Sequence, residues 1–243
     1  MIRITPAIAI ALALVETTSC IALSRAQLNS SIQIASYQQQ SPVRGRPRRT
    51  KPAGTRSPCE QTNTDFTPLL PDTESEYSGF TLREHPTFWF YIPYKTDSVK
   101  SGSFVLKERE GNVVYPIDFK LPKTPGFISV TIPKTVKPLE KNKQYIWKFV
   151  LYCASQNSDQ PPSISHEGLV QRGNMDNLEI QLRTAKLPER IKLYIDNKIW
   201  YDASTDLAQI HSLPQVWRNL LTAIGLEELE QEPIVGSVVP IEN

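Results

Sequence analysis

Few side chains in this sequence combine the types and spacing that chemistry needs. Three histidines and three cysteines in 243 residues leave little material for a metal centre or an activated nucleophile. His166-Glu167 opens like the helix that holds zinc through two histidines one turn apart, but Val170 stands where the second histidine belongs. His85 precedes Pro86 in a turn pattern and His211 ends a helical one. Each reads as a lone imidazole, satisfied or exposed. Asp202 and Asp206 fall one turn apart on a predicted helix beside Tyr201. Paired carboxylates do acid–base work when they face each other across a cleft; on a single helix face they read as solvated charges. The sequence has no G-x-S-x-G elbow, phosphate loop, G-x-G-x-x-G or C-x-x-C. The expectation is therefore a protein that is not an enzyme, with no cofactor and no metal. A hydrolase site gathered from scattered Asp, Glu and His ranks last.

The cysteines depend on where the chain is sent. Met1-Ile2-Arg3 supplies a positive start, Ile4 to Val15 is rich in Ile, Ala and Leu, and Ser24-Arg25-Ala26 puts small residues before Gln27. This is the layout of a secretory signal peptide over residues 1–26, with an apolar run too short for a membrane span. Cys20 permits a second reading as a lipid-modified cysteine, but Thr17-Thr18-Ser19 lacks the leading Leu that reading needs. No later apolar run is long enough to cross a bilayer. The expected location is periplasmic or secreted. Cleavage after Ala26 leaves Cys59 and Cys153, and an even pair in an oxidising compartment predicts one disulfide. Two buried, inert thiols are the alternative.

Charge divides the mature chain. The totals, 27 Lys+Arg against 25 Asp+Glu, nearly cancel. Residues 27–58 nevertheless carry Arg44, Arg46, Arg48, Arg49, Lys51 and Arg56 with no acid, whereas from Cys59 onward 24 acidic residues face 19 basic ones. Recurrent proline and low apolar content predict an extended or disordered leader. Its Arg44-Gly45-Arg46-Pro47 matches the core of hooks that enter the A·T minor groove. An exported protein does not meet the chromosome, so DNA binding ranks below a solvated basic arm that touches anionic envelope surfaces.

The elements that would position any site come in two blocks. Twenty prolines against ten glycines favour extended segments over long helices. Between Thr81 and Arg172 the pattern is period two. Phe88, Phe90 and Ile92 alternate with Trp89 and Tyr91, making both faces apolar and the strand central. Gly111-Asn112 predicts a two-residue hairpin turn between Phe104-Val105-Leu106 and Val113-Val114-Tyr115. A further strand is predicted from Gly126 to Ile132. Tyr145, Trp147, Phe149, Leu151 and Cys153 share one strand face, and Leu139 to Tyr145 resembles the loop that enters a strand in immunoglobulin-like sandwiches. The aromatic cluster reads as core, with a carbohydrate groove involving Trp89 or Tyr91 as the alternative.

After Asp176 the period becomes helical: Leu178, Leu182 and Ala185, then Ile191, Tyr194 and Ile195 after Pro188. Trp200, Ala203, Leu207 and Ile210 follow, and after Pro214 come Val216, Trp217, Leu220, Leu221 and Ile224. Helices paired around Trp200-Tyr201-Asp202-Ala203 and a proline break resemble one tetratricopeptide hairpin. A single repeat buries too little surface alone, so it must pack on the sandwich, a second copy or a partner. The expected architecture is mostly β with a C-terminal α part: an immunoglobulin-like antiparallel β-sandwich over 59–173 and a short tetratricopeptide-like helical segment over 174–229. An extended tail over 230–243 completes it.

The order of motifs carries a family resemblance. Arg44-Gly45-Arg46-Pro47 and Ala53 to Cys59 are followed by Pro86-Thr87-Phe88-Trp89-Phe90-Tyr91-Ile92-Pro93-Tyr94 and Gly111 to Tyr115. Then come Tyr145, Trp147, Phe149 and Cys153, Glu167-Gly168 with Gln171-Arg172, and Trp200-Tyr201-Asp202-Ala203. The chain resembles the cyanobacterial family catalogued as domain of unknown function number 928, with Leu169 where that family has an aromatic residue. The resemblance implies export and one conjoined module, and no catalytic residue. The leading expectation is an exported interaction module docking a protein partner in the cell envelope. Its candidate contacts are Arg44, Arg46, Arg48, Arg49, Trp200, Tyr201 and Trp217. A carbohydrate- or wall-binding module is the alternative.

Overall fold

The computed structural model describes residues 59–71, 79–154, 162–208 and 214–241. The expected signal peptide, the expected basic leader with Arg44, Arg46, Arg48 and Arg49, and His211 lie outside them. The chain is mostly β, in two mixed sheets, with four helices toward its C-terminal end.

Ten strands make up the sheets: β1 (Thr67–Pro68), β2 (Phe80–Thr81), β3 (Thr87–Ile92), β4 (Val99–Glu108), β5 (Val113–Lys120), β6 (Gly126–Thr131), β7 (Gln144–Cys153), β8 (Ser163–Arg172), β9 (Ile234–Ser237) and β10 (Val239–Pro240). One sheet runs β1-β3-β6-β9 and the other β10-β5-β4-β7-β8-β2. The antiparallel expectation needs correcting at the edges, where β2 runs parallel to β8 and β9 parallel to β6. Both edge strands come from distant parts of the chain, so short hairpin connections do not dictate their direction. The C-terminal tail, expected simply as extended, contributes β9 to one sheet and β10 to the other.

Alternation sorts the core. Tyr145, Trp147, Phe149, Leu151 and Cys153 all point inward from β7 and are buried. Phe88, Phe90 and Ile92 face them from β3, with Phe90 and Phe149 centroids 4.2 Å apart. The opposite face of β3 is apolar for a different reason. Trp89 and Tyr91 pack with Phe127, Trp217 and Leu221 in a second cluster outside the sandwich. The β4–β5 connection is not the expected two-residue turn: it spans residues 109–112, with Gly111 at φ +99° supplying the backbone sign that side chains resist.

Four helices follow: α1 (Asp176–Thr184), α2 (Leu187–Asp196), α3 (Trp200–Ala208) and α4 (Pro214–Ala223). They begin as the sequence predicts, with Pro188 in the first turn of α2. The apolar stripes of α1, α2 and α3 meet in a cluster with Phe80 and Leu82 from the β2 edge, so they pack on the chain's own sheets. Helix α3 is buried from Tyr201 to Ala208 because it lies against both β3 and β2. Trp200 touches all three apolar clusters.

Cys59 and Cys153 form a disulfide across 94 residues of sequence, with their Cα atoms 5.2 Å apart. Closing so long a loop restricts the unfolded chain by about 4–5 kcal/mol in the chain-entropy account. The bond ties the start of the described body to the end of β7.

Gly168 lets Trp147 lie against β8. A Cβ there would stand 2.4 Å from the indole ring, which is itself wholly buried. Gly168→Ala is expected to destabilise the fold by about 1–3 kcal/mol through overpacking. Chemical denaturation would show a lower midpoint with unchanged slope; an unaltered midpoint would mean the ring has room to move.

Candidate functional site

The densest polar chemistry among the described residues sits at the seam where α3 meets the sheets. Asp202 and Asp206 are not solvated, as their spacing had suggested, but 1% and 3% exposed. Two charges on a helix normally mark its wet face; here the helix is enclosed on all sides, so both had to find partners. Asp202 accepts a hydrogen bond from the Thr81 hydroxyl at 2.6 Å and another from the Leu82 backbone N–H at 2.8 Å. Asp206 accepts from the Arg83 guanidinium and from Arg190 Nε, the latter at 2.6 Å. The seam thus joins the β2 edge, α2 and α3 through two carboxylates and two guanidinium groups.

Burial sets the electrostatics. The Asp202 carboxyl is pushed up to about 6, because desolvation outweighs the Thr81 and Leu82 hydrogen bonds and the nearby Arg83 charge. Arg83 Nε is 3.6 Å from Asp202, too far for a hydrogen bond, while another of its nitrogens serves Asp206. Burial, followed by the two carboxylates, also drives the Tyr194 phenol up to about 12. Asp206 is the carboxylate with two cations, and Asp202 is the one held chiefly by neutral donors.

Beside this cluster, Tyr201 reaches into the sandwich. Its hydroxyl accepts a hydrogen bond from Trp147 Nε1 at 2.7 Å and donates to the Leu169 carbonyl at 2.8 Å. Phe88 meets its ring edge-on at 5.1 Å. Leu169 contributes through its backbone carbonyl, where side-chain identity matters least. A cleft between β3 and α3 is lined by Trp89, Trp147, Tyr201 and Ser204 but leaves no room for a water molecule. Trp89 Nε1 and Ser204 Oγ are buried there without hydrogen-bond partners.

The sequence-predicted candidates scatter. Tyr201 is buried, and Trp200 and Trp217 are half-buried against the core. Trp217 stacks edge-on against Phe127 at 5.0 Å. Tyr91 is buried and packs on Phe127, so it offers no open platform to a sugar. His85 Nε2 is 2.9 Å from the Val136 carbonyl. His166 Nε2 is 2.7 Å from the Phe66 carbonyl, and burial lowers its pKa. Sequence reasoning missed Thr81, Arg83 and Arg190, which lie more than a hundred residues or a whole helix away from their partners. The available signal was that Asp202 and Asp206 are the only charges in an otherwise apolar or small-residue helix.

Among the described residues no group of three or more His, Cys, Asp or Glu could hold a metal ion, and no helix is long and apolar enough to cross a membrane. The family model described as Domain of Unknown Function (DUF928) matches residues 51–234. The chain belongs to this family. The DUF928 match takes in both sheets' main strands, all four helices and β9's first residue, so the seam lies inside the family domain. No curated protein and no solved structure matches the chain.

Tyr201→Phe keeps the ring but leaves the Trp147 N–H and Leu169 carbonyl without the hydroxyl they share. The expected loss is about 2–6 kcal/mol, at about 1–3 kcal/mol for each of the two buried groups left unsatisfied. Urea unfolding measures it; a loss well under 1 kcal/mol would show that both groups find other partners.

Asp202 binds its proton more tightly in the folded chain than in the unfolded one, where 3.8 is usual. Its contribution to stability is full below about pH 4 and is lost as pH rises through about 6. His166 works oppositely: its lowered folded pKa makes stability fall as pH drops below the usual 6.5. Asp202→Asn isolates the first effect. The wild type should gain about 2–4 kcal/mol relative to this variant between about pH 7 and pH 4. A constant difference across that range would refute the assignment.

Proposed function

We propose that this DUF928 protein is an exported, non-enzymatic interaction module that docks a protein partner in the cell envelope, with its folded body serving as a rigid base for a basic arm. The observation that carries the reading is the Cys59–Cys153 disulfide. A structural disulfide suits an oxidising compartment, which fits the N-terminal signal pattern and a periplasmic or secreted site. It also roots the arm bearing Arg44, Arg46, Arg48 and Arg49 to a core strand. The titratable side chains of the body favour a scaffold role. Asp202, Asp206 and His166 are engaged in bonds that hold elements together. Those same bonds weigh against a hydrolase site.

Within this reading the sandwich is of immunoglobulin type, for which one corner speaks: the Glu140 N–H donates to the Tyr145 hydroxyl at 2.9 Å, just ahead of the strand. The helices are a tetratricopeptide-like hairpin whose apolar stripe is covered by the sheets in place of a neighbouring repeat. The helices' aromatic residues are therefore spent on the fold, and partner contact passes to the arm. The carbohydrate alternative loses Tyr91 to the interior and rests on the half-buried Trp89 and the arm.

The test is a cross-linked capture from the host's envelope fraction using residues 27–243. Truncation after Arg172 is no control, since it removes Tyr201 from Trp147. The control is a full-length variant with Arg44, Arg46, Arg48 and Arg49 all changed to Gln. One identified envelope protein, cross-linked to the wild-type arm and lost in the variant, is the expected result. Capture of wall glycan in its place would move the function to the alternative, and undiminished capture by the variant would remove the arm's role.

A further inference from the structure

The outward face of the six-stranded sheet is left to water. The helices pack on β2 and β3, on the other side of the sandwich and at its edge. An antiparallel sheet face that meets water ordinarily reads polar. Here Val105, Ile146, Val150 and Leu169 interrupt it, each half-buried. Val150 lies in register between Ser103 and Ser165, so a branched side chain stands between two short ones.

The charges on this face are arranged in a particular way. Lys148 and Glu167 stand side by side near its middle, in register on β7 and β8 and both exposed. They are the outward charges of these two strands, so the strip has no net charge. Among the described residues no ion pair closes between them, and neither has another charged partner. Lys107, Lys120 and Asp118 flank the strip on β4 and β5, and Arg109 sits at the rim against Gln144.

Residues in register on β7 and β8 exchange places under a two-fold axis laid along the seam between these strands. That axis sets Lys148 opposite Glu167 of the partner subunit, Ile146 opposite the partner's Leu169, and Val150 opposite the partner's Ser165. Charge then meets opposite charge, apolar meets apolar, and the branched side chain meets a short one. A flat face of this kind packs against another sheet, and a second copy supplies one that matches in all three rows. We infer that two copies of this chain pair through the outward faces of β7 and β8. This goes beyond the arm-mediated reading and does not depend on it. Both strands have ten residues. Three strand spacings of that length cover about 33 Å by about 14 Å in projection, before the relief of the side chains is counted. The area sits at the low end of specific interfaces, about 600 Å² per copy, so the pair is expected to form at micromolar concentrations.

Sedimentation equilibrium of the mature chain tests it. The wild type should reach the mass of two copies at tens of micromolar. Lys148→Glu makes the strip wholly acidic and Glu167→Lys makes it wholly basic, so each sets like charges opposite one another twice in the pair. Either variant alone should raise the dissociation constant about a hundredfold, about tenfold for each reversed contact. Mixed in equal amounts, the two variants should recover a dimer with one copy of each, because every contact is again between opposite charges. Lys186→Glu, at an exposed position between α1 and α2, reverses the same charge elsewhere and should dimerise as the wild type does. Circular dichroism confirms that the variants fold. A monomeric wild type, dimerisation unaffected by either reversal, equal loss with Lys186→Glu, or a mixture that stays monomeric would each overturn the inference.

Discussion

The architecture turns on one contact, the meeting of Trp147 and Tyr201. Trp147 stands at the middle of the six-stranded sheet, wholly buried, with a polar N–H that must be satisfied there. The four-stranded sheet presents Phe88 and Phe90 to it but no acceptor for that N–H. Tyr201 supplies one, and passes its own proton on to the Leu169 backbone. One hydroxyl thereby fastens β7, β8 and α3 while its ring lies against β3. Gly168 is the steric counterpart, since any side chain there would displace the indole. Sandwich and helices are for this reason packed around one shared core.

The seam around Asp202 and Asp206 follows from that contact. Once Tyr201 is drawn inward, its neighbours on α3 are drawn in too, and their charges need compensation in a medium where lone ions are costly. Asp206 takes two guanidinium groups; Asp202 takes a hydroxyl and a backbone N–H. Buried ion pairs contribute modestly to net stability because desolvation offsets their attraction. Their geometry is demanding, however, and it fixes where α2 and α3 sit on the β2 edge. The cluster has the makings of a positioning device.

The two ends of the sandwich balance their charges differently. Around the β6–β7 loop and the start of α1, lysines and carboxylates are matched pair by pair, and exposed pairs of this kind add little stability while cancelling the local field. At the disulfide end exposed Lys95, Lys100, Lys120 and Lys123 are interspersed with exposed Asp97, Asp118 and Glu60, without direct pairing among the described residues.

Period-two runs in β3 and β7 and helical stripes from Leu178 to Leu221 were legible in the sequence because each depends on residues close together in the chain. The Cys59–Cys153 pairing was legible too, by counting cysteines on the expectation of export. The two apolar faces of β3 were visible as a pattern, but which face met a sheet and which met α4 was not. Asp202 and Asp206 show the limit most clearly. Spacing placed them correctly on one helix face, yet only the packing of α3 against β2 and β3 made that face an interior. The sequence by itself determined the elements, their order and their apolar sides, since local periodicity reports backbone conformation. Tertiary structure alone decided which strands pair in parallel, what covers the helices and which charges lose their water. Those outcomes depend on partners such as Thr81 and Arg83, 121 and 123 residues from Asp202 and Asp206, whose approach no local pattern encodes.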